Sequence, residues 1–106
     1  MATPSAQSYA VVNVVTATDT TLVAAVADQR VRVISFWLWS AGTTNVTFKS
    51  ASTALHGPVA LAAQSHLYKD PRDDEQPWLL TVAGEALVLT TSGAVQVSGI
   101  VYYYQY

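Results

Sequence analysis

The chain has 106 residues, no cysteine, and a formal net charge of -2 from five basic and seven acidic side chains. That balance excludes the basic surface by which proteins hold nucleic acid, and the missing thiols exclude disulfides and thiolate metal sites. Hydrophobic residues make up 51% of the chain and charged ones 11%, yet no apolar run approaches the roughly 20 residues of a membrane-spanning helix.

The length suits one soluble domain. Its low charge density, with many valines, threonines and aromatics, points to a surface covered in part by other protein, and so to an oligomer. Residues 1–8 (MATPSAQS) are small and polar. They lack the basic start and apolar core of a secretory signal, so export by the usual route is not expected. They read as an N-terminal arm that orders when something binds it, with residues 9–106 forming the domain.

Tyr9 to Thr16 (YAVVNVVT) reads as the first strand, Thr18 to Thr21 as a polar turn, and Leu22 to Ala27 as a second strand. Arg30 to Ser40 (RVRVISFWLWS) follows and holds two of the three tryptophans. By the two-residue period of a strand, Val31, Val33, Trp37 and Trp39 share one face. Ile34, Phe36 and Leu38 share the other, with Arg30 and Arg32 at its entry. Such a strand runs from an exposed rim into a place covered on both sides. A second subunit or the tyrosine-rich end of the chain is the candidate cover for Phe36 and Leu38.

Ala41 to Thr44 reads as a tight connection making a β-hairpin with Asn45 to Ser50, in which Val46 and Phe48 point inward. Around Leu55 a short apolar segment is broken by Gly57 and Pro58 and resumes from Val59 to Ala63; the proline confines it to an edge or a bulge. Gln64 to Pro77 carries four of the seven acidic and two of the five basic residues and reads as a long exposed loop. Strands are then expected at Trp78 to Val82, Ala86 to Thr91, and Ala94 to Tyr106. The last one splits into Val95, Val97, Val101 and Tyr103 on one side and Gln96, Ser98, Ile100, Tyr102, Tyr104 and Tyr106 on the other. About eight short strands in one chain, without a helix, give an all-β, single-domain antiparallel β-sandwich of jelly-roll type.

Chemistry-bearing patterns are sparse. His56 and His66 do not fall in a zinc spacing and read as surface imidazoles. Asp70, Asp73, Asp74 and Glu75 cluster as hard oxygen donors would for calcium, but Lys69 and Arg72 lie among them, and an ordinary solvated loop or inter-subunit salt bridges are favoured. His66, Lys69, Asp70, Arg72, Asp73, Asp74 and Glu75 therefore form a candidate partner-binding loop. No nucleophile elbow and no phosphate-binding glycine loop is present, so neither an enzyme nor a cofactor is expected. Trp37 and Trp39 together could stack sugar rings. Packing is favoured instead, because flanking Phe36 and Leu38 leave the strand no polar side. The candidate oligomer interface is Phe36, Leu38, Tyr102, Tyr104 and Tyr106, large rigid groups of the kind that interfaces favour.

The stretches DTTLVAAVADQRVRVISFWLWSAGTTNVTFKSASTALHGPVALAA and AGEALVLTTSGAVQVSGIVYYYQY resemble a group of small proteins from tailed-phage genomes. The shared pattern is T-L-V-A-A-V, an R-V strand, N-V-T-F-K-S, T-A-L-x-G-x-x-x-L-A-A, and G-E-A-L followed by A-V-Q-V-S-G. It spans most of the chain from Asp19 onward and is interrupted between Gln64 and Pro77, where the relatives are shorter and less charged. The resemblance implies a compact β-sandwich virion protein, a homotrimer on the particle surface, made in the bacterial host cytoplasm. Its expected partner is the phage major capsid protein, which it would decorate and stabilise as a cement. The alternative is a fibre-tip or tail accessory module that binds a host surface glycan or receptor. Neither reading involves nucleic acid or membrane.

Overall fold

The computed structural model describes residues 7–69 and 79–106. They form nine strands in two antiparallel sheets: β1 (Ser8–Val14), β2 (Asp19–Val23), β3 (Val31–Ser40), β4 (Thr44–Ser50), β5 (Thr53–Ala54), β6 (Val59–Leu61), β7 (Ser65–Lys69), β8 (Leu87–Thr91) and β9 (Val97–Gln105). One sheet runs β1-β9-β3-β7, the other β2-β8-β4-β5 with β6 also on β4. Taken as one interrupted strand, β5 and β6 make the pairing nested: first with last, second with second-last, third with sixth, fourth with fifth. This is the jelly roll, and the sequence reading of an all-β sandwich holds.

Each sheet turns its alternate valines and leucines inward. Val12 and Val14 of β1, Val97 and Val101 of β9, Phe48 of β4 and Leu87 and Leu89 of β8 are all buried. Phe36 of one sheet meets Phe48 of the other at 5.2 Å between ring centroids, tilted by 51°, an arrangement that favours aromatic pairs beyond their buried area.

The central strand β3 is not regular. Its register against β9 slips between Val33, opposite Tyr103, and Ser35, opposite Tyr102. Ile34 is the extra residue of a β-bulge, and a bulge carries the alternation of all later side chains to the other face. Val31 and Val33 therefore point inward before it, and Phe36, Leu38 and Ser40 after it. The reading that grouped Val31 and Val33 with Trp37 and Trp39 is corrected: the tryptophans lie on the outer side. The other flank of β3 is divided at the same place. Phe36 to Ser40 pair with β7, whereas Val31 and Val33 exchange backbone hydrogen bonds with Leu79 and Thr81. Gly99 sits opposite Leu38, where an added Cβ would lie 1.9 Å from the Trp37 carbonyl oxygen.

Several connections also differ from expectation. β3 and β4 lie in different sheets, so Ala41–Thr43 crosses the sandwich and is not a hairpin turn. Short polar turns serve both purposes, and only the partners of each strand distinguish them. Residues 19–21, read as a turn, begin β2, while Ala24 to Ala27 leave the sheet. Ser65 to Lys69, read as loop, is β7. Leu79 to Thr81 touches β3 through a single bridge at Leu80 instead of forming a full strand. On β2, the Thr90 hydroxyl and then Lys49, with Nζ at 3.2 Å, hold the Asp19 carboxyl below its ordinary range. Whatever the pair contributes is present above that range and is lost as pH falls through the lowered value.

His56 repairs the interruption between β5 and β6. β6 pairs with Thr44 to Val46 and β5 with Lys49 and Ser50, which leaves the backbone of buried Phe48 without a strand partner on that side. The Leu55 N–H donates to the Phe48 carbonyl, and the Phe48 N–H donates to His56 Nε2 at 3.0 Å. The ring proton then belongs on Nδ1, which faces the Gly57 carbonyl. His56 is thus a strand substitute rather than a free surface imidazole.

Two substitutions check this. Gly99→Ala forces β9 away from β3 and is expected to cost about 3 kcal/mol or more, at the upper end of overpacking effects, read as a lowered denaturation midpoint. His56→Ala strands the Phe48 N–H and is expected to cost about 1–3 kcal/mol. A melting curve equal to that of the unsubstituted protein would contradict either assignment.

Candidate functional site

The outer face of the β1-β9-β3-β7 sheet gathers the aromatic residues that the core does not use. Register fixes its rows. Val11 of β1 lies opposite Ile100 of β9, which lies opposite Trp37 of β3, which lies opposite Tyr68 of β7. These four side chains form one apolar row across the sheet, with no charge among them. Trp37 is 44% exposed and Tyr68 63%. Beside this row, Tyr9 pairs with Tyr102, their rings 6.5 Å apart.

On the other side of the apolar row runs a polar one: Asn13, Ser98, Trp39 and His66. Gln96 Nε2 donates to Asn13 Oδ1 at 2.8 Å and to Ser98 Oγ at 3.0 Å, tying β1 to the start of β9. The bulge at Ile34 produces this arrangement. Without it Trp37 and Trp39 would fill the core, and Phe36 and Leu38 would be outside.

The residues expected at an oligomer interface therefore divide. Phe36, 4% exposed, and Leu38, fully buried, are core residues packed beneath the opposing sheet and are withdrawn as surface contacts. Tyr102 and Tyr106 are exposed and Tyr104 is half-buried, opposite Arg32. The backbone of Tyr106 exchanges two hydrogen bonds with that of Arg30, which holds the end of the chain against the entry to β3. His66 of the expected partner loop stands exposed at the edge of the polar row, and Lys69 is opposite Phe36 along the backbone. Asp70, Arg72, Asp73, Asp74 and Glu75 lie outside the described residues.

Sequence reasoning missed Val11, Ile100 and Tyr68 as members of one patch. The alternation of β1 and β9 does mark Val11 and Ile100 as outward, and β9 splits into its two sides as expected. What places them beside Trp37 is the strand order, which alternation does not encode. Tyr68 lay hidden in a segment dominated by charge.

No group of three or more potential metal ligands occurs among the described residues, and no helix long and apolar enough to cross a membrane occurs among them. No family model matches the chain, and no curated protein matches it. Among solved structures, the chain is similar to a protein of Bacillus endospore appendages, described as a novel family of disulfide-linked pili. The two are 15% identical with a TM-score of 0.55, over 99% of this chain and 90% of that one. That likeness concerns the fold.

Proposed function

We propose that this chain is a non-enzymatic structural protein that works by buried contact, assembling with copies of itself on the surface of a larger particle. The particle is a phage virion and the role that of a capsid decoration protein. The observation that carries the reading is the outer face of the β1-β9-β3-β7 sheet, where Tyr9, Val11, Trp37 and Tyr68 remain exposed on a domain in which only 11% of residues are charged. A contiguous aromatic face on so small a domain is characteristic of a surface that meets protein. The resemblance to small tailed-phage proteins supports the virion setting and the homotrimer. The pilus neighbour is similar in fold and supports assembly as a use of it. Disulfide linkage is not available to this chain, which contains no cysteine. Binding only the assembled shell would stabilise that shell by mass action.

A second reading is favoured by one observation. Trp39 lies opposite Ser98 of the Asn13–Gln96–Ser98 hydrogen-bonded group, and Trp37 on the adjacent row, so the tryptophans have polar neighbours of the kind a sugar platform requires. On this reading the same face recognises a host glycan.

Sedimentation of the purified chain separates the two. Self-association is expected at micromolar concentrations, and the double substitution Trp37→Glu, Tyr68→Glu is expected to shift its midpoint at least tenfold upward, about 1.4 kcal/mol, without lowering the monomer's melting temperature. A protein that stays monomeric at every concentration, yet binds a glycan array in a manner lost on Trp37→Ala, would replace the first reading with the second.

A further inference from the structure

The two sheets end in edges, and every edge but one is guarded. Exposed edge strands invite pairing with other chains, and proteins block this with short strands, bulges, prolines and charges. β2 has a register shift between Thr21 and Val23 and carries the Asp19–Lys49 ion pair. The opposite edge of that sheet is broken into β5, of two residues, and β6, of three, with Gly57 and Pro58 between them. β7 ends in a lysine. β1 has none of these devices. Its seven residues, SYAVVNV, pair with β9 in unbroken register from Ser8 to Val14. They contain no charge and no proline, and among the described residues no strand lies on the other side.

We infer that the free edge of β1 pairs with β1 of a second copy, antiparallel about a two-fold axis, joining two four-stranded sheets into one of eight. This rests on the self-association proposed above and adds to the aromatic face a second contact, through the sheet edge at the Val11 end of its apolar row. The occupant follows from the strand's own sequence. In an antiparallel pair, outward residues must meet outward residues, or one strand turns its core side chains to water. For two identical strands this puts the axis on a residue, and pairing all seven residues puts it on Val11. Val11 then meets Val11 of the second copy, Tyr9 meets Asn13, Ala10 meets Val12, and Ser8 meets Val14. No like charges oppose each other, and the side that meets the core carries only small groups, apolar but for Ser8 at its end. The exposed Val11, 67% accessible in the single chain, becomes the middle of a row that runs Tyr68–Trp37–Ile100–Val11 and then repeats in reverse through the partner. Such an isologous pair is compatible with a trimer, which it would join to its neighbour.

The chain's lack of cysteine permits a clean test by single-cysteine variants under mild oxidation. Directly opposed residues of antiparallel strands have Cα atoms about 4.5–5.5 Å apart, within the disulfide range of about 4.4–6.8 Å. Val11→Cys is therefore expected to give a covalent dimer. Tyr9→Cys and Asn13→Cys each lie roughly 14 Å from their own counterparts. They are expected to cross-link at least about tenfold less when alone, but efficiently when the two variants are mixed. Thr21→Cys on the guarded edge of β2 serves as the negative control. Equal cross-linking at Tyr9, Val11 and Asn13, or none at Val11 while sedimentation still shows oligomers, overturns the β1 pairing and leaves self-association standing. No cross-linking together with a wholly monomeric wild-type chain overturns both.

Discussion

The arrangement of this molecule depends on one extra residue in its central strand. β3 crosses the middle of the sheet and is flanked on both sides, so its two faces decide what is core and what is surface. Ile34, inserted opposite the Tyr102–Tyr103 step of β9, reverses the alternation halfway along. Before it, Val31 and Val33 enter the core; after it, Phe36 and Leu38 do, and both tryptophans turn outward. The bulge also marks where the outer flank of β3 passes from the Leu79–Thr81 segment to β7. Gly99 permits the close approach of β9 just beyond it. Strand order, core composition and surface chemistry thus meet at one irregularity.

The consequence is a division of labour between aromatic groups. Phe36 and Phe48 link the two sheets from within, which stabilises the isolated domain. Trp37, Tyr68, Tyr9 and Tyr102 contribute nothing comparable to the core and stand on the outer face. A chain with so few charges has little else on its surface to hold a partner at a distance. Polar groups are not absent from that face, since Asn13, Gln96 and Ser98 make a connected set beside Trp39. The face combines apolar area with hydrogen-bonding groups, as contacts between proteins do.

Much of this was legible in the residues. Alternation identified β1 and both sides of β9, because β1 pairs in unbroken register and the extra residue of the β3–β9 ladder lies on β3. The proline at 58 correctly confined its segment to an edge. Eight strand positions implied a sandwich, and the jelly roll appears once β5 and β6 are joined across the gap that His56 spans. The rest failed for identifiable reasons. A bulge leaves no mark in a period-two pattern when the residues on both faces are apolar, as they are from Phe36 to Trp39, so Phe36 and Leu38 exchanged places with the tryptophans. The Ala41–Thr43 connection uses the residues of a hairpin turn and gives no sign that it changes sheet. β7 was lost in a segment whose charges resemble a loop, and Tyr68 with it. His56 carried a signal, a histidine set just before a Gly-Pro interruption, but its acceptor role becomes visible only when β4 is seen to lack a partner there.

Trp37 lies outside the fold and, on the proposed function, inside the assembly, and its fluorescence reports both. In a variant retaining only that tryptophan, through Trp39→Phe and Trp78→Phe, emission at high dilution is expected to be red-shifted and open to acrylamide quenching. It should then move to the blue and become protected as concentration rises. Emission that is blue and protected at every dilution would place Trp37 in the core and remove the bulge from its central role. Emission that is red at every concentration would leave the bulge intact but end the claim that this face is where the protein meets itself.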